Sequence, residues 1–168
     1  MNIFVLDKCP VKSAAMLCDK HIVKMPLESA QMLSSVWHRY GHGDKVKYKE
    51  AFKNHPCTLW AGDSSENYIW LYRHAYQLCF EYTKRYHKIH GCQRIIMDLR
   101  FVNTPFDFIR MEQTDHPQCM PDQYKDFSED AVSAYRKYYI GEKSKIAKWR
   151  TGFSRPPLWY LRETYDDN

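Results

Sequence analysis

The stretch Asp19–His38, DKHIVKMPLESAQMLSSVWH, is the most informative part of this 168-residue sequence. Its polar residues recur at spacings of three and four, which place them on one face of a helix: His21, Lys24, Glu28, Gln31, Ser35 and His38. The opposite face offers an apolar stripe suited to a core: Val23, Leu27, Ala30, Leu33, Val36 and Trp37. The pattern therefore predicts an amphipathic helix with a chemically mixed polar face.

Two interpretations of this polar face are open. A solvated helix face is the commoner case, but such faces are usually rich in Lys and Glu, whereas this one combines imidazole, ammonium, carboxylate and amide groups. That mixture allows proton transfer near neutral pH and favours an active site. Pro26 removes a backbone N–H inside the helix and is expected to bend it near Glu28.

The whole chain predicts a mainly α-helical fold. We expect one compact domain over residues 1–168, with about three long helices, irregular connections and an aromatic C-terminal tail. Residues 2–6 are expected to form an extended start or a short strand, and residues 92–127 an irregular segment. Asp63 or Ser64 is the expected cap of the second long helix and Ser128 that of the third. The predicted long helices cover residues 11–40, 64–90 and 129–150.

Positive charge is concentrated near the C-terminus. The net charge is +5, yet residues 132–162 hold eight Lys or Arg against one acidic residue, together with seven aromatic side chains. Cations neutralise phosphates and flat rings stack on bases, so this composition favours a nucleic acid or nucleotide partner. A helix with a solvated lysine face is the alternative. The candidate substrate-binding residues here are Lys143, Lys145, Lys148, Arg155, Trp159 and Tyr160.

Two histidines are restricted in conformation by the proline that follows them, and one of these is a further candidate site residue. His55 precedes Pro56 and is therefore held in an extended conformation, as is His116 before Pro117. Such a histidine could present a ring nitrogen to substrate, or it could cap a helix. We count His55 and the stripe residue Gln31 among the candidate substrate-binding residues.

The composition argues against several classes of protein. No apolar stretch reaches the roughly 18–20 residues that span a bilayer, and the six cysteines contain no CxxC pair. We therefore expect free thiols, a cytoplasmic location (the host cytoplasm for a phage-encoded protein) and no membrane partner. His87, His90 and Cys92, or His116 and Cys119, lack a recognised four-ligand spacing, so no metal and no cofactor are expected.

Several segments, taken in order, resemble the pyrimidine-dimer DNA glycosylases of the phage endonuclease V type. Asp19-Lys20-His21 followed by Glu28 is similar to that family's first helix. Pro56, Ala61-Gly62 and the long aromatic helix that follows resemble its second helix. Met120–Tyr124 resembles its turn before the third helix, and Arg155-Pro156 with Trp159-Tyr160 its aromatic tail.

The resemblance implies a helical, metal-free enzyme that acts on DNA. In that family an α-amine attacks C1′ of the damaged nucleotide and forms an imine, and a helix-borne glutamate stabilises the cationic sugar and assists strand cleavage. Glu28 matches the glutamate, and His21 matches a histidine on the same face. A free α-amine has a pKa of about 8, so part of it is uncharged at neutral pH.

The sequence also departs from the family pattern. Residue 2 is Asn2, larger than the residues usually exposed by methionine removal, so the nucleophile could be the amine of Met1, that of Asn2 or the side chain of Lys24. Leu27 and Gln31 stand where the family carries arginines. The target is therefore open: a damaged base, another modified base or a free nucleotide.

Three functions remain in competition. The leading hypothesis is a DNA N-glycosylase, possibly with AP-lyase activity. The second is an enzyme or binding protein for a small nucleotide on the same polar face. The third is a non-catalytic phage binding protein. The sequence does not determine the oligomeric state.

Overall fold

Two long helices, α2 over Asp19–Arg39 and α4 over Ser65–Tyr86, pack against each other at the centre of the protein. The computed structural model describes residues 2–149, 152 and 154–165. Within that part of the chain the regular elements are helical, so the predicted mainly α-helical fold is confirmed. The other α-helices are α1 (Pro10–Met16), α3 (Pro56–Asp63), α5 (Gln93–Asp98), α6 (Ala131–Tyr138) and α7 (Leu158–Tyr165).

The start of the chain is extended and buried rather than paired in a sheet. Its backbone groups are bonded to side chains: the Leu6 N–H donates to the Ser13 hydroxyl at 2.9 Å, and the Leu6 carbonyl accepts from Arg136 at 2.9 and 3.0 Å. These bonds replace a strand partner. They also tie residues 2–6 to both α1 and α6.

The prediction of one helix over residues 11–40 is wrong, because Leu17 and Cys18 are extended and separate α1 from α2. Distant groups satisfy the first N–H groups after the break. The Cys18 N–H donates to the Tyr139 hydroxyl at 2.9 Å, and the Asp19 N–H donates to the Lys148 carbonyl at 2.9 Å. Tertiary contacts therefore set where α2 begins.

Helix α2 continues through Pro26, but its predicted core stripe is partly wrong. Val23 is 46% exposed and Leu27 is 40% exposed, whereas His21 is buried. The reason is that α2 contacts α3, α4 and α5, so the direction of the core changes along its length. Several members of the polar face consequently point inward.

The second long helix follows its predicted cap. The Ser64 hydroxyl accepts the Asn67 N–H at 3.1 Å, and α4 ends at Tyr86 because His87 adopts a left-handed conformation with φ 54°. The predicted end near residue 90 is therefore a turn too late. Residues 58–62, just before this cap, belong to α3.

The third long helix is shorter than predicted. Asp130, not Ser128, caps α6 by accepting the Ser133 N–H at 3.1 Å. A π-helical turn over Tyr139–Lys143 then ends the helical run, so the predicted extension towards residue 150 is wrong. Gly141 lies in this turn directly against the Tyr124 ring, which leaves no room for a Cβ.

No helix in the described ranges has both the length and the apolar character of a membrane-spanning segment.

A buried guanidinium joins the corner between α1 and α2 to α4. The Arg85 side chain is 0% exposed and donates to the carbonyls of Leu17 at 2.8 Å and Ala15 at 3.0 Å. It also pairs with the carboxylates of Asp19 at 3.1 Å and Glu81 at 3.3 Å. The carbonyls that α1 leaves without helical partners at its end are thereby satisfied.

We predict that Arg85→Met lowers the free energy of unfolding by about 3–5 kcal/mol, because it removes the cation shared by Asp19 and two buried carbonyls and leaves Glu81 with the longer Lys84 pair at 3.7 Å. Urea denaturation followed by circular dichroism measures this change. The control is Arg94→Met, which removes an exposed ion pair with Asp98 and should cost under about 1 kcal/mol. Equal losses in the two variants would contradict the structural role assigned to Arg85.

Candidate active site

The backbone nitrogen of Asn2 lies beside the carboxylate of Glu28. The Asn2 N–H donates to Glu28 Oε2 at 3.1 Å, across 26 residues of sequence. The Glu28 side chain is only 12% exposed, so its carboxylate is largely shielded from solvent. The third turn of α2 and the start of the chain thus converge on one carboxylate.

The Asn2 side chain fixes this approach. Its Oδ1 accepts the N–H groups of Ile3 at 2.7 Å and Phe4 at 3.2 Å, which forms a tight local turn. Its Nδ2 donates to the Cys119 carbonyl at 2.7 Å. Residue 2 is therefore anchored on both sides while its backbone nitrogen faces Glu28.

A second nitrogen reaches the same carboxylate. Lys24 lies one helical turn before Glu28, and its Nζ is 3.0 Å from Glu28 Oε1. The Lys24 side chain is 66% exposed, so it reaches Glu28 from the solvent side. Each carboxylate oxygen of Glu28 is thus engaged by a different nitrogen.

His21 is buried beneath an aromatic side chain. Its ring stacks on Phe4 with centroids 4.2 Å apart, and its Nδ1 is 2.7 Å from the Tyr139 hydroxyl, which also accepts the Cys18 N–H. Burial, with smaller contributions from the charges of Lys143, Lys24 and Lys20, lowers the pKa of His21 to about 3. The imidazole is therefore neutral at physiological pH.

Phe4 occupies a backbone conformation that is rare for a large residue, with φ 56°. Such a conformation costs about 1–3 kcal/mol and persists only when the surroundings enforce it. The enforcing contacts are the Asn2 turn and the rings on either side of Phe4: His21 and Tyr138, the latter stacked with centroids 6.2 Å apart. The Lys143 ammonium lies over both Phe4 and Tyr138, at 5.9 and 4.6 Å from their centroids.

Lysines gather around this corner. Lys20, Lys24 and Lys143 all act electrostatically on His21, and the Lys148 carbonyl is bonded to the first residue of α2. The side chains of Lys145 and Lys148 are exposed. We call this group the lysine surface: Lys20, Lys24, Lys143, Lys145 and Lys148.

The remaining candidate site residues differ in their exposure and lie on different elements. Gln31 is half-buried on α2, Arg155 is exposed, and Met1 lies outside the described residues. His55 caps α3, where its Nδ1 accepts the Cys57 N–H at 3.2 Å.

The aromatic tail packs inward. The Trp159 Nε1 donates to the Met16 sulfur at 3.5 Å, and Tyr160 is buried against Trp149 with ring centroids 5.0 Å apart. Tyr160 is largely buried in this packing, and its contact with substrate stays a prediction.

Sequence reasoning missed Phe4, Tyr138, Tyr139 and the Cys119 carbonyl. Asn2 offered one usable signal, because Asn side chains commonly bond the backbone N–H two residues ahead. Nothing local in the sequence indicates that Phe4 would adopt a positive φ. The Tyr139 contact joins residues 118 positions apart and has no local signature.

A sequence model of the family described as pyrimidine dimer DNA glycosylase matches residues 1–94. The chain belongs to this family. The matched range contains Asn2, His21, Lys24 and Glu28, so the convergence around Glu28 lies within the family region. The lysines at 143, 145 and 148 and the aromatic tail lie beyond it. Searches of curated proteins and of solved structures gave no significant match.

The low pKa of His21 predicts a loss of stability in acid. In the unfolded chain this histidine gains a proton near pH 6.5, whereas in the folded glycosylase it stays neutral down to about pH 3. Unfolding therefore takes up a proton between these values, so the free energy of unfolding falls as the pH falls. His74 and His116, whose pKa values burial lowers to about 3 and about 4, act in the same direction.

We expect His21→Asn to make the pH dependence shallower by up to about 1.4 kcal/mol per pH unit below pH 6, whatever its effect at pH 7. Urea denaturation at pH 7, 6, 5 and 4 measures the slope. His87→Asn, at an exposed position, is the control and should leave the slope unchanged. An unaltered slope in His21→Asn would show that the pKa of His21 is the same in the folded and unfolded protein.

Proposed function

We propose that this member of the pyrimidine dimer DNA glycosylase family removes a damaged or modified base and cleaves the resulting abasic site, using an amino-terminal amine and Glu28. The observation that carries the proposal is the 3.1 Å contact between the Asn2 nitrogen and the Glu28 carboxylate. It places the backbone nitrogen of residue 2, which a peptide bond joins to Met1, beside a shielded carboxylate. The amine of this proposal is that of Met1, or that of Asn2 once Met1 is removed.

The first step is displacement of the base. The uncharged amine forms a bond to C1′ as the bond between C1′ and the base breaks, and the base departs with the electron pair and takes up a proton. Positive charge develops on the sugar, and the Glu28 carboxylate stabilises it electrostatically. With little solvent around Glu28, this interaction is weakly screened.

The second step is ring opening and elimination. The amine nitrogen loses its proton as the C1′–O4′ bond breaks, O4′ is protonated, and an imine remains at C1′. Removal of a C2′ proton then expels the 3′ phosphate and cleaves the strand. Glu28 is the carboxylate within reach of the amine, so it is assigned the proton transfers at C2′ and O4′.

Lys24 is the competing nucleophile, since its Nζ also contacts Glu28. We assign it a supporting role for two reasons. The Lys24 side chain is largely exposed. Residue 2, by contrast, is held by hydrogen bonds from the Asn2 side chain to Ile3, Phe4 and Cys119. A nucleophile that is already held in the reactive geometry reacts faster than one that must first be ordered. We therefore infer that Lys24 pairs with Glu28 and contacts DNA.

His21 acts as a positioning residue in this proposal. A neutral imidazole beneath Phe4, bonded to Tyr139, holds the turn that presents residue 2. The lysine surface beside it offers cations to the phosphates of a bound strand, and these contacts need no particular sequence. The aromatic side chains of the tail, Trp159 and Tyr160, are less exposed than the sequence predicted.

We predict that Glu28→Gln lowers the rate of base release and strand cleavage by about 10²–10⁴-fold while DNA affinity changes little. The assay measures cleavage of duplexes containing an ultraviolet-induced dimer or an abasic site. Glu66→Gln, at an exposed position on α4, is the matched control and should retain full activity. Full activity in Glu28→Gln would exclude the proposed carboxylate.

The identity of the amine is tested in the same assay. Borohydride reduces an imine to a stable amine, so it should join the protein covalently to abasic DNA, and mass spectrometry of the peptides locates the bond. We expect it at the α-amine of residue 1 or 2 and not at Lys8, with Lys24→Gln still trapped. A bond at Lys24 would reverse the roles assigned to the two amines, and the absence of any bond would remove the lyase step.

We further predict that Lys145→Gln and Lys148→Gln each weaken DNA binding and reduce the slope of log affinity against log salt by about 0.9. Fluorescence anisotropy at several salt concentrations measures both quantities. The control is Lys47→Gln, an exposed lysine next to Tyr48, whose carbonyl bonds His38 at the far end of α2. Equal effects at all three positions would contradict a localised lysine surface.

A further inference from the structure

Three side chains outside the proposed chemistry meet close to Asn2. The ligand atoms of His55, Cys57 and Cys119 all lie within 4.8 Å of one another, and the two sulfurs are 3.5 Å apart. Cys57 is fully buried, whereas His55 and Cys119 are half-buried. We call these three residues the thiol–imidazole cluster.

Two separate parts of the chain hold the cluster in place. His55 and Cys57 occupy the cap and the first turn of α3, where the Cys57 N–H donates to the His55 ring. Cys119 comes from the long segment before α6, where its N–H donates to the Tyr135 hydroxyl at 3.2 Å and its carbonyl accepts from Asn2. These bonds bring the three side chains together. A neutral imidazole has one acceptor nitrogen, so a ligand bound by His55 replaces its bond from the Cys57 N–H.

The donor set is that of a zinc site. Two thiolates and one imidazole are soft and borderline ligands, and zinc at about 2.3 Å from sulfur in tetrahedral geometry separates two sulfurs by about 3.8 Å. The observed 3.5 Å between the sulfurs is close to this spacing. The cap of α3 accounts for the imidazole and a disulfide would account for the two cysteines, but only a metal engages all three groups at once.

We propose that His55, Cys57 and Cys119 bind a Zn²⁺ ion through two sulfurs and one nitrogen, leaving the fourth position to water. This departs from the expectation of a metal-free protein, because the sequence separates Cys57 from Cys119 by 62 positions and shows no four-ligand spacing. The partly exposed His55 and Cys119 give the ion access from solvent.

A metal here has a mechanical consequence. It joins the start of α3 to the segment that carries Cys119, and the Cys119 carbonyl holds the Asn2 side chain. The ion thereby braces the turn that presents residue 2 to Glu28. This consequence for activity rests on the proposed function, whereas binding of the metal does not.

Binding is tested on the intact, reduced protein with Co²⁺ as the probe. We expect saturation at about one Co²⁺ per chain, with thiolate-to-metal charge-transfer absorption and the visible bands of tetrahedral cobalt, both lost on addition of Zn²⁺. The wild-type spectrum reports sulfur ligation directly, so it does not depend on a variant that folds. Absence of these bands would overturn the proposal.

Variants then assign the ligands. His55→Asn keeps a helix-capping oxygen while removing the imidazole and should weaken Co²⁺ binding at least about tenfold. Cys57→Ser and Cys119→Ser should abolish the charge-transfer band, and Cys9→Ser, at an exposed cysteine outside the cluster, should leave it unchanged. A band that survives in Cys57→Ser and Cys119→Ser places the metal elsewhere and rejects the site.

Further results distinguish the metal site from a redox-active cysteine pair and from the proposed glycosylase function. Protein purified without reductant that shows a Cys57–Cys119 disulfide and takes up no Co²⁺ after reduction would mean a redox pair instead of a metal site. Zinc binding in a protein that lacks glycosylase activity would uphold the metal site and reject the proposed function. An active glycosylase that binds no metal would uphold the proposed function and reject the metal site.

Discussion

The placement of α2 depends on one buried cation. The Arg85 guanidinium, with no exposed surface, bonds the carbonyls at the end of α1 and the carboxylate of Asp19 at the start of α2, and its own helix supplies Glu81. Because the chain breaks at Leu17 and Cys18, this contact acts together with the bonds of Cys18 to Tyr139 and of Asp19 to Lys148 to fix the direction in which α2 leaves the corner. Glu28 lies on α2, so its position follows from this ion network.

The candidate active site depends on a second convergence that helix geometry does not supply. Asn2 is held between Glu28 and the Cys119 carbonyl, so three distant segments meet at one residue. The strained Phe4 and the neutral His21 beneath it are part of the same arrangement. In the proposed function, the contacts that enforce the strained conformation of Phe4 also hold the amine in place before DNA binds. The thiol–imidazole cluster lies against the same segment and, with a metal bound as proposed, braces it.

Much of the helical framework could be predicted from local patterns. The hydrophobic period of α2 and α4, the cap at Ser64 and the spacing of Lys24 and Glu28 are local, and the structure follows them. The errors have a common cause. The break at Leu17, the exposed Val23 and the shortened third helix are each decided by contacts with distant parts of the chain, such as Tyr139 with Cys18 and Tyr124 with Gly141.

The sequence by itself determined a mainly helical protein, the common helix that carries His21, Lys24 and Glu28, and the likeness to the glycosylase family. These follow from the helical period and from residue order, both of which are properties of neighbouring residues. Only the tertiary structure decided that Asn2 meets Glu28, that His21 is neutral, and that Cys57 meets Cys119. Those contacts span 26 to 118 positions and are formed by packing, which no local pattern encodes.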